Sequence, residues 1–296
     1  MSIRKILVAN RSEIAIRVFR AANELGIKTV AIWAEEDKLS LHRFKADESY
    51  QVGRGPHLAR DLGPIESYLS IDEVIRVAKL SGADAIHPGY GLLSESPEFA
   101  DACAENGIIF IGPKPETMRR LGNKVAARNL AIEIGVPVVP ATDPLPDDIA
   151  EVKKLAAKIG YPLMLKASWG GGGRGMRAIR AEEDLDREVT EAKREAKAAF
   201  GKDEVYLEKL VERARHVEVQ ILGDMHGNAV HLYECDCSFQ RRNQKVVERA
   251  PAPYLNDAQR QELASYGLKI AHATDYIGAG TVEFLMDADT GAFYFI

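Results

Sequence analysis

The sequence predicts an α/β chain, and three observations carry that expectation. Short apolar strands alternate with amphipathic helices through the first third. The alternation then changes to longer, antiparallel strands. The apolar runs stay strand-sized, as in Ile3 to Ala9, far from the roughly 20 residues that cross a bilayer. In the first third, Ile3 to Ala9 reads as a buried strand. Ile14 to Leu25 follows as its helix, with Gly26 as the stop. Lys28 to Ala34 is a second strand, Ile71 to Lys79 a helix and Ala83 to His87 a third strand. Pro97 to Glu105 is a helix and Ile108 to Gly112 a fourth strand. This is the layout of a doubly wound parallel sheet, whose strand ends usually hold ligands.

Gly112 to Pro115 punctuates the pattern before a helix over Met118 to Ile134, and Pro137 to Asp148 makes a second break. Asp147 to Ile159 reads as a helix and Tyr161 to Ala167 as a strand. After a glycine run, Met176 to Arg180 is a strand and Glu182 to Ala199 a charged helix burying Leu185, Val189, Ala192 and Ala196 before Gly201 ends it. From Val205 the strands lengthen. Val217, Val219 and Ile221 share a face, a turn at Gly223 to Gly227 returns the chain over Val230 to Glu234, and Gly280 to Asp287 pairs with Ala292 to Ile296. The sequence stops in mid-strand, so it reads as cut.

Composition narrows the function classes. The 296 residues carry 39 Lys and Arg against 44 Asp and Glu, a net charge of −5, with 46% hydrophobic and 28% charged residues. That excludes disorder and collagen, supplies a sizeable core, and argues against nucleic acid as a main partner. No signal-peptide pattern opens the chain, and three cysteines are too few for a disulfide scaffold. The expectation is a soluble, cytoplasmic protein with no membrane partner.

The strongest chemical signal is Lys166-Ala-Ser-Trp-Gly170-Gly171-Gly172-Gly173-Arg174-Gly175-Met176. Glycines let backbone N–H groups approach phosphate oxygens, and a cation on each flank complements a polyphosphate. The spacing fits neither a Walker loop nor a dinucleotide fingerprint. A mobile lid and a plain hairpin tip are both readings of it. Lys124 opens a helix, where a cation is mismatched with the dipole unless an anion is near; a solvated lysine is the alternative. Polar residues crowd the strands at Glu208 to Val211, Arg215 to Glu218 and Gln240 to Lys245, which suits a phosphate or bicarbonate site or a solvated sheet face. Glu283 interrupts an apolar strand, where a carboxylate needs a partner or a cation, and no second carboxylate is obvious near it. Cys235 and Cys237, placed on the face of His231, read as structural. His87-Pro-Gly-Tyr-Gly91 is a ligand position or a tight turn.

Over its whole length the chain resembles the biotin carboxylases, which are ATP-grasp enzymes. The resemblance rests on ILVANRSEIAIR (6–17), HPGYGLLSE (87–95), GNKVAAR (122–128), KASWGGGGRGM (166–176), EKLVERARHVEVQ (208–220) and QRRNQKVVERAPAP (240–253). Within the family, PIESYLSIDEVI, YGLLSE and KASWGGGG look most like the pyruvate carboxylase branch. The resemblance implies a Rossmann-like N-terminal domain at 1–115 and an ATP-grasp domain at 116–296. The latter would carry a glycine-rich lid over about 136–204 and be incomplete at its C-terminus. It further implies a ligase in which MgATP phosphorylates bicarbonate to carboxyphosphate, which then carboxylates biotin on a carrier domain. Pyruvate would be converted to oxaloacetate, a step of gluconeogenesis, by a separate domain. Acetyl-CoA or propionyl-CoA carboxylase subunits and a non-catalytic ATP-binding module are the alternatives. Motif by motif, Lys124 and Lys166 would hold ATP phosphates under a lid containing Gly171, Gly172, Gly173, Gly175 and Met176. Glu208, Lys209 and the backbone at Val211 would meet adenine, and His216, Gln240 and Asn243 the ribose and phosphates. Lys245 and Lys166 would act in catalysis, and Glu283 would bind magnesium or manganese. Asn243 replaces a usual His, and Cys235 a usual Arg. The family's second metal carboxylate, its Asn-Pro-Arg stretch, its base and its biotin-site arginine fall beyond Ile296, so the chain alone is expected not to carboxylate free biotin. A homo-oligomer is implied.

Overall fold

The computed structural model describes residues 3–169, 176–241 and 244–296, and only the backbone of Phe200. Two compact units divide the chain at Met118 and Arg119. In the first unit, β1 (Lys5–Val8) is a continuous apolar run because both sheet faces are covered. Helix α1 (Ser12–Glu24) buries Ala15, Phe19 and Ala22. Then come β2 (Lys28–Trp33), β3 (Glu48–Gln51), α2 (Pro64–Leu69) and α3 (Ile71–Ser81), which is capped by Ser70 and ended by left-handed Gly82. The unit continues with β4 (Ala85–His87), α4 (Pro97–Glu105) and β5 (Ile109–Phe110). The strands are parallel in the order β3-β2-β1-β4-β5, so the chain winds outward from β1 in both directions. Ile6 and Val8 pack on the side of Phe19 and Ala22, while Leu7 packs on the side of Tyr68, Val74 and Phe99.

The predicted helix over Met118 to Ile134 is two helices, α5 (Pro115–Gly122) and α6 (Lys124–Glu133). Asn123 adopts extended backbone, and its side chain accepts the Ala126 N–H at 2.9 Å, which starts a new helix. Also absent from the sequence reading are β3 and α2. Strand β3 is polar, short and at the sheet edge, so it is defined by its pairing with β2.

In the second unit, α7 (Ile149–Ile159), β6 (Leu163–Ala167), β7 (Arg177–Ile179), α8 (Glu182–Phe200) and β8 (Val205–Lys209) form an antiparallel layer in the order β7-β6-β8. The predicted stripe of α8 is buried there, with Leu185, Val189, Ala192 and Ala196 against Leu163, Leu165 and Leu207. The other layer holds β9 (Ala214–Gly223), β10 (Ala229–Arg241), β11 (Gln244–Arg249), α9 (Asp257–Ala273), β12 (Gly278–Asp287) and β13 (Phe293–Phe295). Its order is β11-β10-β9-β12-β13, antiparallel throughout. One face, with Val217, Val219, Ile221, Val282 and Phe284, packs on Leu263 and Ile270 of α9. A Cβ on Gly267 would stand 3.0 Å from Val219 Cγ1, so glycine suits the close approach of helix and sheet. The sequence reading omitted α9, although Asn256 and Gln259 form a reciprocal cap that marks its start.

One expectation is corrected by register. His231 pairs with Ile221 whereas Glu234 pairs with Val219, so β10 carries one extra residue between them, where Tyr233 has φ 65°. The bulge reverses the side-chain parity. His231 therefore shares the face of Ile221, and Cys235, opposite Glu218, lies on the other face.

Past the bulge, buried Asp236 ties the sheet to its surroundings. Its carboxylate accepts from Arg249 Nη2 at 2.7 Å, Tyr254 Oη at 3.0 Å and the Ser238 N–H at 3.1 Å. Burial works to raise its pKa from 3.8, but the bonds from Ser238, Arg249 and Tyr254 outweigh it and hold the group down at about 2. A lowered pKa stabilises the fold above the unfolded value, and that contribution fades as pH falls from about 4 through about 2. We expect Asp236→Asn to lower stability by about 1–3 kcal/mol at neutral pH. Urea unfolding of both proteins at several pH values should show the difference shrinking across that acid window.

Candidate active site

The face of the β9-β10-β11-β12 layer opposite α9 gathers the charged side chains. It does so because alternation on β9 sends Val217, Val219 and Ile221 to the core and His216, Glu218 and Gln220 to the other side. Register sets Glu283 of β12 directly opposite Glu218. Two carboxylates facing each other on one sheet face repel unless a cation lies between them. Lys245 of β11 supplies it: its Nζ donates to Glu218 Oε2 and, at 2.7 Å, to Glu283 Oε1. Burial works against the charge on Lys245, but the two carboxylates outweigh it and hold the ammonium well above its ordinary pKa.

His216 completes the cluster. Gln240 Nε2 donates to His216 Nδ1 at 2.9 Å and to the Cys237 carbonyl at 2.9 Å. An imidazole accepting at Nδ1 carries its proton on Nε2, so Gln240 fixes the tautomer. That Nε2 is buried and stands 3.4 Å from Glu283 Oε1, longer than a full hydrogen bond. His216 first, and Lys245 with it, lower the Glu283 pKa to about 2 against the opposing effect of burial. Glu283 is therefore an anion at any physiological pH.

Lys166 lies on β6, where it is 8% exposed, and its Nζ pairs with Glu208 Oε1 of β8. The pair is diagonal across the antiparallel ladder, with Lys166 opposite Tyr206 and Glu208 opposite Met164. Lys124 is brought to the end of the same strand. Its N–H donates to the Ser168 carbonyl at 3.0 Å, and Asn123 bridges to Trp169. Met176 is half-buried immediately before β7. Lys209 turns elsewhere: its Nζ donates to the carbonyls of Gly160 and Tyr161, each at 2.9 Å. Lys209 and Val211 line a cleft together with Val139, Pro140, Pro162 and Tyr294. The structure therefore groups Lys166 with Glu208, and His216 and Gln240 with Lys245 and Glu283. Gly171, Gly172, Gly173, Gly175 and Asn243, and with them the glycine-rich lid, lie outside the described residues. His87-Pro-Gly-Tyr-Gly is built as a tight turn, with Gly89 and Gly91 left-handed and Asn10 Nδ2 donating to the carbonyls of Pro88 and Tyr90.

The residue that sequence reasoning missed is Glu218. It is the second carboxylate that Glu283 was expected to lack, and it is 5% exposed. Its parity on β9 was the available signal. A hard divalent cation fits this donor set, because His216, Glu218 and Glu283 bring ligand atoms within 4.8 Å of one another and two of the three are carboxylates.

Residues 123–296 match the family described as carbamoyl-phosphate synthase L chain, ATP binding domain, and residues 2–118 match biotin carboxylase, N-terminal domain. The chain belongs to this ATP-binding family and carries the N-terminal domain of the biotin carboxylases ahead of it. Pyruvate carboxylases are among the proteins it is similar to. The mitochondrial pyruvate carboxylase of Mus musculus is 53% identical over 99% of this chain and 24% of its own length. That of Staphylococcus aureus is 53% identical over 99% of this chain and 25% of its own. A structure of Rhizobium etli pyruvate carboxylase with acetyl coenzyme-A matches with TM-score 0.95 and 85% identity, over the whole of this chain and 26% of that one. The biotin carboxylase domain dimer of Hydrogenobacter thermophilus 2-oxoglutarate carboxylase, in complex with MgADP, ADP and bicarbonate, matches with TM-score 0.93 and 46% identity over 63% of its length. The chain thus spans about a quarter of the curated pyruvate carboxylases it matches.

Removing Lys245 leaves Glu218 buried without its cation. We expect Lys245→Gln to destabilise the second unit by about 3 kcal/mol, at the low end for a broken buried pair because Lys245 is partly exposed. Adding Glu218→Gln should recover part of that loss, and a double-mutant cycle by chemical denaturation measures the coupling.

Proposed function

We propose that this chain supplies the ATP- and bicarbonate-handling part of the ATP-dependent carboxylation of biotin, by way of carboxyphosphate, in the first half-reaction of a pyruvate carboxylase. The observation that carries the reading is the Lys245 bridge between Glu218 and Glu283, with His216 oriented beside it. Phosphoryl transfer to bicarbonate brings anions together, so what the protein must supply is position and compensating charge. Lys166 and Lys124, together with Gly171, Gly172, Gly173, Gly175 and Met176, hold the ATP phosphates. In exchange for phosphate, Lys166 gives up its bond to Glu208. Glu208, Lys209 and the backbone at Val211 receive the adenine, and His216, Gln240 and Asn243 the ribose and phosphates. Lys245 neutralises the bicarbonate and the transferred phosphoryl group. Glu283 would hold magnesium, or manganese in its place, with Glu218 as the neighbouring carboxylate. A bound divalent ion neutralises charge on the ATP phosphates.

The 85% identity to the Rhizobium etli enzyme supports pyruvate as the acceptor of the carboxyl group. We further assign residues 1–115 to the Rossmann-like domain and 116–296 to the ATP-grasp domain, with a lid over about 136–204. Biotin on a carrier domain is the partner, and pyruvate reacts at a separate domain. The bacterial relatives and three unpaired cysteines support the cytoplasm. Among the described residues no helix is long and apolar enough to cross a membrane. The Hydrogenobacter dimer supports a homo-oligomer.

Replacing Lys166 with Ala tests the reading. A lost charge-assisted contact to phosphate is worth about 1.5–3 kcal/mol, or about 10- to 100-fold in affinity. Calorimetric titration with MgATP should show that loss, and unchanged affinity would remove Lys166 from the phosphate site.

A further inference from the structure

Beside Glu218, on β10, stand two cysteines that the proposed carboxylation does not use. Cys235 is the cross-strand neighbour of Glu218, and Cys237 follows two residues later on the same face of β10. The Cys235 Sγ lies 3.4 Å from Glu218 Oε1 and 3.6 Å from the Cys237 Sγ, and the three ligand atoms lie within 4.8 Å of one another. Glu218 and Cys237 are buried, and Cys235 is partly exposed, which leaves an entry path.

We propose that Cys235, Cys237 and Glu218 form a three-ligand site for a thiophilic divalent cation of the zinc class, with water in the fourth position. Zinc–sulfur bonds of about 2.3 Å and zinc–oxygen bonds of about 2.1 Å at tetrahedral angles place two sulfurs about 3.8 Å apart and a sulfur and an oxygen about 3.6 Å apart. The two separations made by Cys235 are within about 0.2 Å of those values, and the third pair, Cys237 with Glu218, lies within 4.8 Å. Hard cations are poorly served here, because two of the three donors are sulfur. The two thiols distinguish this site from the carboxylate pair of Glu218 and Glu283, with which it shares Glu218.

The charges balance. Each thiol releases its proton to solvent as its sulfur binds the metal, so two protons leave as two positive charges arrive. No electron is transferred, and the net charge of the buried pocket is unchanged. Glu218 offers different oxygens to its two neighbours, Oε1 toward Cys235 and Oε2 to Lys245. An ion at Oε1 therefore shares one carboxylate with Lys245 and weakens its hold on that lysine. By that route the site regulates the lysine placed at the bicarbonate.

The test is titration of the full chain, kept reduced, with Cd2+ as the spectroscopic probe and Zn2+ as the competitor. One Cd2+ per chain should bind with the ultraviolet absorption of thiolate-to-metal charge transfer, and Zn2+ should displace it. Cys235→Ser should weaken binding at least tenfold, since loss of a supporting residue alone costs about 10- to 100-fold. Cys103→Ser, at the buried cysteine of the first unit, should leave binding intact. Absence of the absorption in the unaltered chain would overturn the proposal. So would full binding by a Cys235→Ser, Cys237→Ser double variant whose far-ultraviolet circular dichroism shows it folded. The readout needs neither nucleotide nor biotin, so its failure is distinct from failure of the proposed carboxylation.

Discussion

Much of the second unit follows from a single register, the one that sets Glu218 opposite Glu283 across β9 and β12. Two buried or half-buried carboxylates in that relation are unstable without a cation, and the chain answers with Lys245 from β11. To deliver that lysine, β10 must run between β9 and β11 and place β11 over the same face. The result is a cluster with one carboxylate more than its lysine can cancel. His216, oriented by Gln240, faces that surplus. The same arithmetic governs β6 and β8, where buried Lys166 is matched by Glu208. In both places a lysine for which anion binding is proposed is paired with a carboxylate, so each cation is kept in position without an uncompensated charge.

The division between what the sequence made legible and what it did not has physical causes. The parallel sheet of the first unit was readable because strands covered on both faces are continuous apolar runs, as in Ile6 to Val8, and because Ser70 and Gly82 bracket α3 with unambiguous caps. The stripe of α8 was readable for the same kind of reason, a period of 3.6 over a long charged helix. Strand β3 was invisible because its residues are polar and its strand character comes from the neighbour it pairs with. The break at Asn123 lies inside a run that satisfies helical periodicity on both sides, and only the reading of Lys124 as a helix start pointed to it.

At the candidate site, residue types were easier to read than partners. Lys166 and Glu283 stood out because each is a charged residue in or at the end of an apolar strand, whereas His216, Gln240 and Lys245 were singled out within polar clusters by the resemblance to the biotin carboxylases. Which of them meet depends on register, and register is a property of two strands together. Glu218 was overlooked because it sits in a cluster of polar residues, where one more carboxylate carries no local signal. The placement of Cys235 failed for a more specific reason, since counting residues from His231 assumes that a strand never gains one.

That extra residue on β10 has a meaning for how the site can change. Upstream of Tyr233 the strand is in one phase and downstream in the other, so the bulge works as a frame shift written into the fold. Loss of a single residue there is absorbed by the bulge itself: His231 keeps its place opposite Ile221, Cys235 keeps its place opposite Glu218, and the strand between them becomes regular. The bulge is thus a point on β10 where the chain can lose a residue and still present the same charged face.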